Sequence, residues 1–129
     1  EELSDAIQNL LANQPNGLIL DLRNNTGGYL DSAIDVGSLF LADGIIAYEE
    51  DGDGTRVAFE TTVDEIATDI PLIVLVNEWS ASASELVAGA LQDRGRAQLV
   101  GTTTFGKGTV QSLIPISGDQ GAVKITIAR

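Results

Sequence analysis

Pro71 to Gly95 reads P-L-I-V-L-V-N-E-W-S-A-S-A-S-E-L-V-A-G-A-L-Q-D-R-G. Its first six residues are an unbroken apolar run, rich in β-branched residues and too short for a core helix, which is the pattern of a buried strand. A polar, serine-rich turn follows. From Ser80 to Asp93, small or apolar residues recur at Ala83, Leu86, Val87, Ala90 and Leu91, the spacing of one helix face, and Gly95 supplies a C-terminal stop. A strand that turns directly into a helix is a building unit of α/β folds.

The same unit is expected upstream. Leu18 to Leu22 is apolar but for Asp21, and reads as a second strand buried on both faces. A polar loop, Arg23 to Gly28, leads from it to Leu30, Ala33, Ile34, Gly37, Ser38 and Leu41, again a helix face. Before it, Leu3, Ile7, Leu10 and Leu11 predict an amphipathic helix over residues 3–13, capped by Ser4 or a neighbour and ended by Asn13-Gln14-Pro15-Asn16-Gly17. Between the two units, Ile45 to Tyr48 and Arg56 to Glu60 predict a hairpin across an acidic turn. Asp51-Gly52-Asp53-Gly54 lacks the later oxygen ligands of a calcium loop and reads as a solvated turn. Thr61 to Asp69, polar and acidic, is expected to be a loop or lid. After Gly95, Ala97 to Val100 predicts one more strand, and Thr109 to Ile116 with Ala122 to Ile127 an antiparallel pair turned by Gly118 to Gly121. The expected class is α/β, with helices returning to a common central β-sheet.

The chain has 129 residues, of which 43% are apolar, enough for one folded domain over residues 1–129. Its net charge of −12 argues against nucleic acid and anionic membrane surfaces as partners. No apolar run approaches a membrane span. The chain begins at Glu1 rather than a methionine, and the expectation is a piece of a longer protein, carrying neither a signal segment nor a cofactor site.

Composition also narrows the chemistry. With no His and no Cys, a Ser-His-Asp triad, a Cys-His pair and His/Cys metal sites are all excluded, and no metal site is expected. The only lysines are Lys107 and Lys124. If a serine is activated, its base must be a lysine amine. Ser80, Ser82 and Ser84 compete for that role. Ser82 with Glu85 also makes a capping box, which serves only to satisfy the amides at a helix start. A serine on a sharp strand-to-helix turn is nevertheless where several hydrolases expose a nucleophile, the next residue's N–H, here that of Ala83, serving as oxyanion donor. Lys107 reads either as a surface lysine or as a base given an apolar surround by Phe105 and its flanking glycines. Gln111 lies two residues from Thr109 on the same strand face, where its carbonyl can hold the amine; it equally suits a strand edge. Gly27-Gly28 at a helix entrance frees N–H groups for an oxyanion, or serves as a plain loop. Asp93, expected to pair with Arg94 or Arg96, and Glu85 stand as second-tier candidates. Gly101 to Lys107 fits G-x-x-x-x-G-K, yet Gly108 replaces the magnesium-binding hydroxyl and a strand pattern follows, which argues against a nucleotide loop.

Three segments, D-L-R-N-N-T-G-G (Asp21 to Gly28), S-A-S-A-S-E-L-V-A-G-A-L-Q-D-R-G-R-A (Ser80 to Ala97) and T-F-G-K-G-T-V-Q (Thr104 to Gln111), together resemble the carboxyl-terminal processing peptidases, or tail-specific proteases. The resemblance implies a ClpP/crotonase-like layered fold, with a central β-sheet flanked by helices. It implies Ser82 as nucleophile, Lys107 as general base, Gln111 as the residue that orients the lysine, and the N–H groups of Gly28 and Ala83 as oxyanion donors. It further implies cleavage of polypeptide substrates near their carboxyl-terminal tails, outside the cytoplasm in a periplasm, cell envelope or thylakoid lumen. Family members usually carry a PDZ domain before this core, so the chain is expected to be the core without it. Trp79 departs from the family, which often has a small residue there, and bears on the shape of the cleft. The alternative is a non-catalytic peptide- or ligand-binding module on the same fold.

Overall fold

The structure, a computed structural model, describes residues 2–62, 65–116 and 121–129. Three strands, β1 (Leu18–Asp21), β4 (Leu72–Val76) and β5 (Gln98–Gly101), form a parallel sheet in the order β1-β4-β5. Leu18 pairs with Leu72 and Val76 with Gly101 across the central strand. Two antiparallel ribbons are separate from it, β2 (Ile45–Glu50) with β3 (Arg56–Glu60), which come between β1 and β4 in the chain, and β6 (Val110–Pro115) with β7 (Ala122–Ala128), which follow β5. The expected common sheet is therefore divided in three. The ribbons are linked to each other, because Glu50 and Arg129 exchange both backbone hydrogen bonds at 2.7 and 2.9 Å. Gly118 to Gln120, in the expected turn between β6 and β7, lie outside the described residues, as do two residues of the expected loop at 61–69.

Helix α1 (Glu2–Leu11) places Ile7 in the core and carries Glu2 and Asp5 in its first turn, where the helix dipole favours them. Ser4 lies inside that turn and is not the cap that was expected, since the helix already begins at Glu2. Asn13 ends the helix by donating to the Asn9 carbonyl at 2.9 Å. In α2 (Leu30–Ser38), Ala33, Ile34, Gly37 and Ser38 are buried, as the spacing predicts. Helix α3 (Ala83–Asp93) buries Val87, Ala88, Ala90 and Leu91. It ends where Gly95 takes φ +64 and the Arg96 N–H reaches back to the Leu91 carbonyl, a left-handed stop that glycine adopts without strain.

The core gathers one face of the parallel sheet, Leu18, Leu72, Val74 and Val76, with Ile7, Ile34, Val87 and Leu91 from the three helices. Among the described residues the other face has little cover: Ile19 is 67% exposed, Val100 45% and Ile73 38%. This corrects the reading of buried strands as covered on both sides. An apolar run shows that neither face is polar, not that both have a neighbour. At the C-terminal ends of the strands, Gly101 has φ +144, and a Cβ there would stand 1.8 Å from the Val76 carbonyl oxygen, so only glycine lets β5 follow β4. Among the described residues no helix is long and apolar enough to cross a membrane.

Candidate active site

The turns that leave β1 and β4 at the same end of the sheet are stitched together. Ser80 is fully buried; its hydroxyl donates to the Leu22 carbonyl at 2.7 Å and accepts the Asn77 N–H at 3.0 Å. The Asn77 side chain accepts the Asn24 N–H and donates to the Asn24 side chain, at 2.9 and 3.0 Å. Ala81 donates to the Asn25 carbonyl at 3.0 Å. Gly27 (φ +93) lies so close to this turn that a Cβ would meet the Ala81 oxygen at 2.5 Å and the Ala83 nitrogen at 2.8 Å. Two polar loops far apart in sequence thereby become one rigid platform.

Ser82 sits on this platform with φ 56 and ψ −119, a conformation that a non-glycine residue holds only under strain, and it is the N-cap of α3. Such a strand-turn-helix elbow pushes the serine out of the surface. Ser80 and Ser84 are buried while Ser82 is partly exposed, so accessibility separates the three serines that sequence alone could not.

Glu85 lies one turn into α3 and accepts the Ser82 N–H at 2.8 Å, the glutamate half of the expected capping box. The same carboxylate accepts the N–H of Gly106 at 2.6 Å and that of Lys107 at 2.8 Å. Phe105 N–H adds a bond to the Ser80 carbonyl at 3.0 Å. Burial alone would raise the Glu85 pKa; the Thr104 hydroxyl and the three backbone N–H groups outweigh it and hold the carboxyl below its ordinary value. The carboxylate thus ties the lysine loop to the serine turn, a role that a capping motif on its own does not reveal.

A cleft of about 690 Å³ opens over this junction, and Ser82, Ala83, Gly28, Lys107, Gln111 and Glu85 all line it. Leu30, Ala47, Phe59 and Leu86 give it an apolar wall. Gln111 donates its amide nitrogen to Thr126 at 2.7 Å and to Thr109 at 3.3 Å, and among the described residues no donor bonds its carbonyl oxygen. Lys107 is partly buried, and among the described residues no hydrogen bond joins its amine to the Ser82 hydroxyl. Three expectations are corrected. Phe105, expected to surround the lysine, is 63% exposed and does not line the cleft. Asp93 also lies away from the cleft, and its expected partners are engaged elsewhere: Arg94 with Asp43 at 2.9 Å, and Arg96 with the carbonyls of Phe40, Ala67 and Ile70. Trp79 is exposed and not part of the lining, so it does not shape the cleft. Past Lys107 the chain enters β6, where a nucleotide-binding loop needs a helix.

A family model described as peptidase family S41 matches residues 1–129. The chain is 48% identical over 129 residues to the carboxyl-terminal-processing protease of Synechocystis sp., covering 100% of this chain and 30% of that protein. It is 43% identical over 126 residues to carboxyl-terminal-processing peptidase 2, chloroplastic, of Arabidopsis thaliana, covering 97% of this chain and 24% of that one. The solved photosystem II D1 C-terminal processing protease superposes with a TM-score of 0.90 at 37% identity, over 98% of this chain and 33% of its own. The chain thus spans 30% or less of the length of these curated relatives.

Proposed function

Because the chain belongs to peptidase family S41, whose model covers it from end to end, we propose that it is the single-domain catalytic core of a serine endopeptidase that works through a Ser82/Lys107 dyad. The observation that carries this reading is that Ser82, the accessible serine on a strained elbow, lines one cleft together with Lys107. In the proposed reaction the Lys107 amine takes the proton of the Ser82 hydroxyl as the oxygen attacks the scissile carbonyl carbon. The oxyanion that forms is met by the N–H groups of Ala83 and Gly28, the first at the positive end of the α3 dipole. The C–N bond then breaks, the leaving amine takes its proton from Lys107, and an ester remains on Ser82. Water attacks the ester carbonyl of this acyl-enzyme, giving a proton to Lys107; the bond between that carbon and the Ser82 oxygen then breaks, the oxygen takes the proton back from Lys107, and the new carboxyl terminus is released. Gln111 completes the dyad as a triad by holding the lysine amine with its free carbonyl oxygen.

The substrates in this proposal are polypeptides cut near their carboxyl-terminal tails, and the site of action is outside the cytoplasm, in a periplasm, cell envelope or thylakoid lumen. Support comes from relatives named carboxyl-terminal-processing proteases, one of them chloroplastic. The test is peptide hydrolysis by the full-length polypeptide. Ser82→Ala and Lys107→Ala are each expected to lower kcat/KM by at least about a thousandfold while the melting temperature moves little, since both residues act at one chemical step. Retained activity in either variant would remove the residue from its role.

A further inference from the structure

All five arginines are engaged in holding the fold: Arg23 pairs with Asp21, Arg56 and Arg129 with Glu50, Arg94 with Asp43, and Arg96 with three backbone carbonyls. Among the described residues, the cations with neither an ion pair nor a side-chain hydrogen bond are the two lysines, and both line the cleft. One is Lys107. The other, Lys124, has no part in the dyad chemistry. It stands on β7 opposite Leu113, two residues before Thr126, which is opposite Gln111 and bonded to it. Strand alternation therefore sets Lys124 and Gln111 on the same, cleft-facing side of the ribbon.

In a chain of net charge −12, an unpaired ammonium exposed in a cleft is the natural landing point for an anion. The other charged groups lining the cleft define where the anion lies. Glu85 is occupied by three backbone amides, Arg129 is held by Glu50, and Glu49, on β2, repels a carboxylate from that wall toward β7. Lysine, a compact charge on a flexible stem, suits a single carboxylate that needs no fixed bidentate geometry.

We propose that Lys124 is a specificity-determining residue, whose ammonium takes a carboxylate of the bound peptide on the Gln111 side of Ser82. The inference rests on the peptidase reading for the identity of the ligand as a peptide. Two sources share the chemistry, a terminal α-carboxylate and an Asp or Glu side chain.

The experiment measures peptide binding by fluorescence anisotropy in the full-length Ser82→Ala protein, so that it needs no turnover. One peptide pair differs in a free or amidated terminus and has no acidic side chain; a second, amidated pair has Glu or Gln at an internal position. At least one pair is expected to show about tenfold tighter binding of the carboxylate member, weakening with added salt. Adding Lys124→Gln should reduce that preference to less than about twofold, and Lys124→Arg should keep it. The pair that responds identifies the carboxylate. A preference that survives Lys124→Gln, or none in either pair before it, overturns the proposal. Failure of the peptidase reading is seen separately, as absence of peptide hydrolysis by the full-length protein with Ser82 intact.

Discussion

A single carboxylate decides how the lysine loop meets the serine turn. Glu85 gathers the N–H groups of Ser82, Gly106 and Lys107, and three charge-assisted bonds of this kind fix backbone on both sides of the cleft. Its folded pKa is depressed, so the stability it contributes is fully present above the ordinary glutamate value of about 4.3 and is lost as pH falls through the lower, folded value. Amide hydrogen exchange checks this. Protection at Gly106 and Lys107 is expected to persist as pH falls below the ordinary glutamate value and to collapse on further acidification, when the depressed carboxyl is protonated. Glu85→Gln should lower that protection at neutral pH, make it insensitive to acid, and destabilise the fold by about 1–3 kcal/mol. An acid response unchanged in Glu85→Gln protein would mean that another group controls the loop.

At the scale of elements, the platform depends on fastening the exits of β1 and β4 to each other. Ser80 is the buried rivet, and Ser80→Ala leaves the Leu22 carbonyl and the Asn77 N–H without that partner, at a cost of about 1–3 kcal/mol. Denaturant titration should show this as a lower midpoint with an unchanged slope, together with reduced peptide hydrolysis although Ser80 touches no substrate; equal midpoints would mean that the platform does not need the bond. The elements themselves were legible in the sequence, because each has its own periodicity: α3 from its apolar spacing, the ribbons from alternation, Gly95 from its place as a stop. What joins them was less so. The Asn24–Asn77 clasp and the bonds from Glu85 to Gly106 and Lys107 link residues more than twenty positions apart, and no local pattern encodes them. Nor does an apolar strand reveal whether one face or both will be covered, as Ile19 and Val100 illustrate. The motif around Ser82 and Lys107 was readable as a resemblance, whereas accessibility, which separates Ser82 from Ser80 and Ser84, emerged only from the packing.

For the whole molecule, charge is the dominant global property. A net charge of −12 on 129 residues opposes compaction by self-repulsion, while the ion pairs at Asp21, Glu50 and Asp43 lie near the surface and are individually weak. Screening the repulsion should therefore outweigh the loosening of those pairs, and the melting temperature should rise by several degrees between about 0.01 and 0.15 M salt, as read by calorimetry. A fall over that range would assign the surface pairs a larger share of stability than their exposure allows.

Activation of Ser82 by an amine at position 107 can be tested by rebuilding that amine. The chain has no cysteine, so Lys107→Cys introduces a single thiol into it. Alkylation with 2-bromoethylamine turns that thiol into a near-isostere of lysine, whereas iodoacetamide leaves a neutral amide of similar size. Lys107→Cys protein is expected to lose peptide hydrolysis, aminoethylation to restore kcat/KM to within about tenfold of the original, carboxamidomethylation to restore nothing, and added Ser82→Ala to abolish the rescue. Undiminished activity in the unmodified Lys107→Cys protein, or equal rescue by both reagents, would contradict it.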